Sequence, residues 1–406
     1  MVRLTVIRMS RNENRMRSVA LIDSALAAAV SGEKIAGLVA MAADEGGVVY
    51  ESAFGRRNVS QPQRMTTDSV FRIASMTKAI TAAAAMQQVE QGKLSLDQPA
   101  KEILPFLADT KVLLGFDAND IPIVRAPRTQ ITLRNLLTHT AGFVYDTWNE
   151  EMARYAKITD LPACRTGKLE SLTAPLNFDP GERWEYGINI DIAGRMVEVA
   201  SGLDLETYMQ RHIFEPLSMP DTSFIQRPEW DSRLPAIHAR QADGSLQPMP
   251  PPPPAGADRE FYPGGGGLFS TASDYLRFLR ALMNDGHLDG NRILKSETVA
   301  LMGQNHMGDL DVQPLPTQNP AMSNPVNLFP GMSKKWGLSF LINTEAGPAG
   351  RSAGSLAWAG LNNTYYWLDP VKKIAGVFMT QTLPFADRTV LNALDSFERA
   401  VYQSVG

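Results

Sequence analysis

Two serines stand in settings that could turn a hydroxyl into a nucleophile. Residues 350–354 read G-R-S-A-G, the G-x-S-x-G pattern of a nucleophile elbow with Ser352 as the reacting group. Residues 75–78 read Ser-Met-Thr-Lys, a serine with a lysine three residues on. An elbow needs a strand before the serine, a helix after it, and acid and histidine partners later in the chain. Ser352 is followed instead by the strand-like SLAWAGLNNTYYWLDP, and all five histidines (His139, His212, His238, His287 and His306) come before it. The order argument uses every histidine in the chain. The stretch therefore reads as a glycine-rich bend leading into a strand.

Ser75 and Lys78 lie in VFRIASMTKAITAAAAMQQVEQGKL. Beyond the lysine the run is Ala-rich and almost uncharged, which predicts a buried helix whose first turn carries both residues on one face. A serine hydroxyl is a poor nucleophile until a base takes its proton, and a desolvated lysine can be that base because burial disfavours its charged form. A helix start also offers free N–H groups where an oxyanion would form, worth about 2.7 to 4 kcal/mol per donor in other enzymes. On these residues alone, a solvated lysine beside an N-cap serine is an equally good reading. His139, the nearest histidine after Ser75, reads as a structural residue holding its own loop, with a Ser75–His139 dyad as the functional alternative. Cys164 is the sole cysteine, so no intrachain disulfide forms. It reads as a small structural residue, with a thiol nucleophile as the alternative.

Composition narrows the partners. The chain has 406 residues, 44% hydrophobic and 20% charged, with a formal net charge of -4. Its length predicts two or three structural units, and the charge leaves no basic surplus for nucleic acid or an anionic membrane. A small-molecule substrate fits better. No Cys/His cluster or H-E-x-x-H spacing offers a metal site, and the glycines at 264–267 lack the Lys-Ser/Thr pair of a phosphate loop, so neither metal nor cofactor is expected. The N-terminus holds five arginines but only a short apolar run, Leu4 to Ile7, without a small-residue cleavage signal, and so fails as a secretory signal. No stretch of about 18 apolar residues offers a membrane span. A cytoplasmic enzyme is the expectation, and nothing in the chain speaks to its oligomeric state.

The elements that must hold these residues fall into β-rich ends around a helix-rich middle. Residues 17–32 space their apolar side chains as an amphipathic helix, and GLVAMAA and VVYESAF flank D-E-G-G as a hairpin. WGLSFLINT, SLAWAGL, TYYWLDP and KIAGVFMTQ are β-rich runs joined by short turns, and DRTVLNALDSFERAVYQSV closes as a helix. With no βαβ rhythm, the two ends combine into one antiparallel sheet carrying the terminal helices. The expected division is an α+β unit from 17–74 and 290–406, an inserted mainly helical unit at 75–289, the site at their junction, and a loose tail at 1–16. Thr271 followed by Asp274 predicts a capping box opening a helix that runs to Gly286. The proline run at 249–257 predicts a loop.

VFRIASMTKAITAAAAMQQVEQGKLSLDQPAKEILP, ITLRNLLTHTAGF, PGERWEYGINIDIAGRMVEVASG and IFEPLSMPDTSF, in this order, resemble the serine β-lactamase and penicillin-binding superfamily, and within it the class C β-lactamase-like carboxylesterases called family VIII. The resemblance spans about residues 20 to 400. It implies a β-lactamase-like fold, with Ser75 as nucleophile and Lys78 as its base. The family's Y-x-N motif falls on Tyr186-Gly187-Ile188, which implies that Tyr186 shares the base role; on the residues alone it would be an ordinary partly buried aromatic. The motif's asparagine position holds Ile188, with Asn189 one residue late. The family's Lys/His-Thr-Gly motif falls on Trp358-Ala359-Gly360, which implies an oxyanion hole from the backbone N–H groups of Ser75 and Leu361. It also implies that Trp358, Gly360 and Ile188 border the substrate. Trp and Ile, where the family's lactam-cleaving members carry Lys and Asn, remove polar recognition and suit an uncharged acyl ester. The reading is a serine carboxylesterase for short-chain uncharged esters, acting through an acyl-enzyme on Ser75. Its alternatives are a β-lactamase or D-aminopeptidase, an acyltransferase, or a non-catalytic penicillin-binding-like sensor.

Overall fold

The computed structural model describes residues 11–252 and 258–405. Its centre is a seven-stranded antiparallel sheet of β1 (Gly37–Asp44), β2 (Gly47–Gly55), β3 (Lys334–Trp336), β4 (Leu341–Asn343), β5 (Leu356–Gly360), β6 (Thr364–Asp369) and β7 (Ile374–Met379), in the order β3-β4-β5-β6-β7-β1-β2. Among the described residues six helices reach ten residues: α1 (Arg11–Val30), α2 (Thr77–Glu90), α3 (Glu150–Thr159), α4 (Asn189–Ser201), α5 (Ala272–Met283) and α6 (Arg388–Val405). The two chain ends meet where β1 pairs with β7, Val39 opposite Met379. In the D-E-G-G turn the Asp44 carboxylate accepts the N–H groups of Gly46 and Gly47 at 2.8 and 3.1 Å, which sets the β1–β2 hairpin.

Strand alternation sends neighbours to opposite faces. On one face Trp367 and Phe378 meet Phe397 of α6 at ring separations of 5.6 and 6.0 Å, and α1 packs along α6 and β2. On the other, Tyr366 meets Tyr275 of α5 at 5.2 Å, and its cross-strand partner is Trp358. With both faces covered, β1 is buried along nearly its whole length, which is why GLVAMAA is continuously apolar rather than alternating.

The structure differs from the sequence expectations in several places. α1 begins at Arg11 rather than residue 17, and the rest of the expected tail, residues 1–10, lies outside the described residues, as do residues 253–257 of the proline run. α5, grouped by sequence with the inserted region, packs on β1 and β7. That region also contains two hairpins, Val112–Phe116 with Pro122–Arg125 and His238–Arg240 with Leu246–Pro248. α5 ends at Met283, short of Gly286. Only half of the expected capping box forms. Thr271 Oγ1 accepts the Asp274 N–H at 3.1 Å, but the Asp274 carboxylate takes the Asp221 N–H and the Thr222 hydroxyl at 2.8 and 2.9 Å instead of turning back. Burial pushes this carboxyl up to about 6.

The G-R-S-A-G stretch is a tether between β4 and β5. Arg351 donates to Glu398 of α6 at 2.8 and 2.6 Å, with both side chains buried, and the Ser352 N–H donates to Asp369 at 2.8 Å. Ser352 precedes β5 at the end opposite Gly360, so a strand of roughly 13 Å separates it from the Ser75 side of the sheet.

Two stability outcomes follow from these contacts. Glu398→Ala leaves Arg351 buried without its partner and is expected to cost about 3 to 5 kcal/mol in urea denaturation, whereas Ser352→Ala, which keeps the backbone bond, should stay within about 1 kcal/mol. Asp274 is stabilised in its protonated form, so its contribution is full below the unfolded carboxylate value and is lost as pH rises through about 6. The wild-type midpoint should therefore fall relative to that of Asp274→Asn between pH 4 and pH 7; parallel pH profiles would show that Asp274 is not the cause.

Candidate active site

Ser75 sits on the single 3-10 turn Ala74–Met76 that leads into α2, rather than in the first turn of the α-helix itself. Ala74 holds φ of 45°, a left-handed conformation costly for a residue with a Cβ, and it turns the chain from the extended Phe71–Arg72 segment into the helix. Lys78, one turn on, has no exposed surface. Its Nζ lies 3.1 Å from Ser75 Oγ, 3.0 Å from the Tyr145 hydroxyl and 2.6 Å from the Gly265 carbonyl oxygen. A neutral amine here can donate to Gly265 and Tyr145 while its lone pair faces the serine proton.

The segment that brings Tyr186 is tethered upstream. Asp179 accepts both guanidinium arms of Arg125 at 2.8 and 2.7 Å and the Arg128 N–H at 2.8 Å, which holds its carboxyl down at about 2. The Tyr186 carbonyl accepts the Tyr145 N–H at 3.1 Å, and the two rings lie 5.2 Å apart. The Tyr186 ring centroid is 4.7 Å from Lys78 Nζ, but its hydroxyl accepts the Trp358 indole N–H at 2.9 Å, and it is the Tyr145 hydroxyl that bonds to the lysine. Burial pushes the Tyr145 phenol well above its usual range, with Asp191 adding to the effect.

Trp358 is buried among Tyr186 and Trp336, at ring separations of 5.0 and 4.6 Å. Ile188 is buried at the start of α4. Gly360 is a close-approach position. A Cβ there would stand 2.2 Å from the Ile73 carbonyl oxygen, so the end of β5 presses directly on the turn that carries Ser75. Leu361 follows that contact, and among the described residues neither its N–H nor that of Ser75 has an acceptor.

His139 makes no hydrogen bond to Ser75. Its Nδ1 accepts from Asn189 Nδ2 at 3.1 Å and the Gly187 N–H at 3.4 Å, its ring packs 4.8 Å from Tyr186, and burial together with the Lys78 charge lowers its imidazole well below the usual value, leaving it neutral. Asn189 also donates to the Phe143 carbonyl at 2.9 Å, so it braces this loop and does not take up the place held by Ile188. Cys164 Sγ rests 3.8 Å from the Ser171 carbonyl, and desolvation raises its thiol well above the usual value, so it is no thiolate. Among the described residues no group of three or more His, Cys, Asp or Glu is placed to hold a metal ion.

Tyr145, Asp191 and Gly265 were not reached by the sequence reading. Asp191 carried a signal, an acid within the apolar run INIDIAG. Tyr145 and Gly265 carried none beyond lying next to THTAGF and inside a glycine run.

The matching family is Beta-lactamase, over residues 22–398. The ML-236A carboxylate methylbutanoyltransferase of Penicillium citrinum is 33% identical over 95% of this chain and 94% of its own length. The lovastatin esterase of Penicillium rubens is 32% identical over 94% and 98%. Among solved structures, unliganded simvastatin synthase (LovD) from Aspergillus terreus superposes with a TM-score of 0.82 at 32% identity, covering 95% of this chain and 98% of that one. A hydroxyl against a buried amine, the β-lactamase-like fold that carries them, and similarity along nearly the whole chain lead to one conclusion: this protein belongs to the Beta-lactamase family, as a serine hydrolase of the family VIII esterase type.

Proposed function

We propose that the protein is a serine carboxylesterase that forms an acyl-enzyme on Ser75. The observation that carries this reading is the 3.1 Å contact between Ser75 Oγ and the Nζ of the fully buried Lys78. In this reading Lys78 takes the serine proton as Oγ attacks the ester carbonyl, and the oxyanion accepts from the N–H groups of Ser75 and Leu361. The alcohol leaves with a proton from Tyr186. The bond from Trp358 is accepted by the Tyr186 oxygen, so the phenol proton remains free to be given. Water then releases the acid by the reverse steps. A second assignment, in which Tyr145 relays the proton, is favoured by its 3.0 Å contact with Lys78.

The proposed substrates are short, uncharged acyl esters. Trp358 supplies a buried indole where a cation would grip a substrate carboxylate, and beside it a narrow cavity is lined by Trp184, Leu315, Val326 and Leu341 together with the uncharged amides Gln313 and Asn327. Lys334 borders the same cavity but directs its ammonium to the Met332 carbonyl at 2.9 Å. The relatives named for methylbutanoyl transfer favour a companion reading in which an alcohol takes the place of water.

Ser75→Ala should abolish p-nitrophenyl butyrate hydrolysis and labelling by a fluorophosphonate, and Ser352→Ala should keep both; a labelled peptide containing Ser352 would sink the assignment. Tyr186→Phe should lower kcat about 10²- to 10⁴-fold, and a larger loss in Tyr145→Phe moves the proton role to that residue. For the wild type, kcat/KM for p-nitrophenyl butyrate should exceed that for benzylpenicillin by about 10- to 100-fold, the worth of one missing charge-assisted bond. Preference for the penicillin would refute the substrate class. Product analysis with added alcohol apportions water against transfer.

A further inference from the structure

Asp191 lies in the first turn of α4 with 2% of its surface exposed, and its contacts lead to the reaction centre. Its Oδ1 accepts the Gly265 N–H at 2.9 Å, while the carbonyl of that same residue accepts Lys78 Nζ at 2.6 Å. One glycine is thus gripped by the carboxylate through its N–H and holds the lysine through its C=O. A Cβ at 265 would stand 2.3 Å from Asp191 Oδ2, so no other residue fits without displacing the acid. The Tyr145 hydroxyl lies 3.0 Å from Nζ, and the Asp191 charge adds to the upward push on its phenol.

The titratable groups around the pair are Lys78 of α2, Tyr145 and Asp146 from the loop before α3, Cys164 from the 164–166 turn, and His139 and Tyr186 from the segments before α4. Lys78 and His139 are the basic groups among them, and His139 is neutral. Burial pushes the Asp191 carboxyl up, and the Lys78 charge pulls it back. That attraction is mutual: an ionised Asp191 favours the ammonium form of Lys78 as much as the ammonium favours the carboxylate.

We propose that Asp191 is a positioning residue for the Ser75–Lys78 pair, aiming Nζ through the Gly265 peptide and serving as the buried counter-charge to the ammonium that forms when Lys78 takes the serine proton. The inference rests on the nucleophile reading given above. As the Ser75 Oγ–carbon bond forms, the carbonyl π pair moves to the oxyanion and the proton moves from Oγ to Nζ. Asp191 offsets the positive charge created there.

The test is the pH profile of kcat/KM for p-nitrophenyl butyrate in the wild type and Asp191→Asn, with Ser75 fluorophosphonate labelling measured in both. Asparagine keeps the acceptor for Gly265 and removes the charge. With the counter-charge gone, protonation of the lysine is harder, so the acid limb should move to lower pH by about one unit or more. Kcat at the optimum should fall about tenfold or more. Gly265→Ala keeps the charge but forces the carboxylate aside, and should lower kcat with KM and the acid limb unchanged. An unmoved limb in Asp191→Asn with Ser75 still labelled overturns the Asp191 proposal alone. Absence of label on Ser75 in the wild type overturns the nucleophile reading instead. If Asp191→Asn does not fold, Gly265→Ala decides, and a wild-type kcat in that variant overturns the proposal.

Discussion

Everything around the reaction centre answers to one constraint: an amine has been taken out of water. Removing an ammonium-sized group from solvent costs several kcal/mol even after relaxation, and the cost is met only if its protons are directed to acceptors. Lys78 finds Ser75 Oγ within its own turn, the Tyr145 hydroxyl from the loop before α3, and the Gly265 carbonyl from the glycine run. Three segments spread over nearly two hundred residues must therefore converge on one nitrogen. The outcome is directional. With two of its bonds committed to Gly265 and Tyr145, the lysine has one remaining axis along which a proton can move, and that axis ends on the serine.

The sheet acts as the ruler for the rest. Because side chains alternate along a strand, Trp358 shares its face with Tyr366 and points toward the inserted region, where its indole N–H meets the Tyr186 hydroxyl. Two residues further along β5, Gly360 presses on the Ile73 carbonyl, and the next N–H belongs to Leu361. The opposite face is sealed by α1 and α6 and carries no part of the site. Pairing the first strand with the last gives a rigid floor to which residues from 75 to 361 are all referenced. A member of the Beta-lactamase family can in this way vary the wall beside its serine without moving the serine, and its relatives include both an esterase and acyl transferases.

Much of this was legible in one dimension, because the signals were local. The Ala-rich run after Lys78 announced a buried helix, the D-E-G-G turn announced its hairpin, and the position of every histidine before Ser352 disposed of the elbow. The family resemblance also pointed to Tyr186 and Trp358. What spacing could not supply was which hydroxyl faces the lysine. Both Tyr145 and Tyr186 border Lys78, and only packing turns one phenol to the amine and the other to the indole.

The sequence by itself determined the nucleophile candidate and the β-rich ends, since each depends on residue type within a few positions. Tertiary structure alone decided that a glycine's two backbone groups link Asp191 to Lys78, that Trp358 is spent on Tyr186, and that His139 is a neutral brace. Those are relations between segments far apart in the chain, and a hydrogen bond's partner is set by where the packed core leaves each group, not by the order in which the groups are joined.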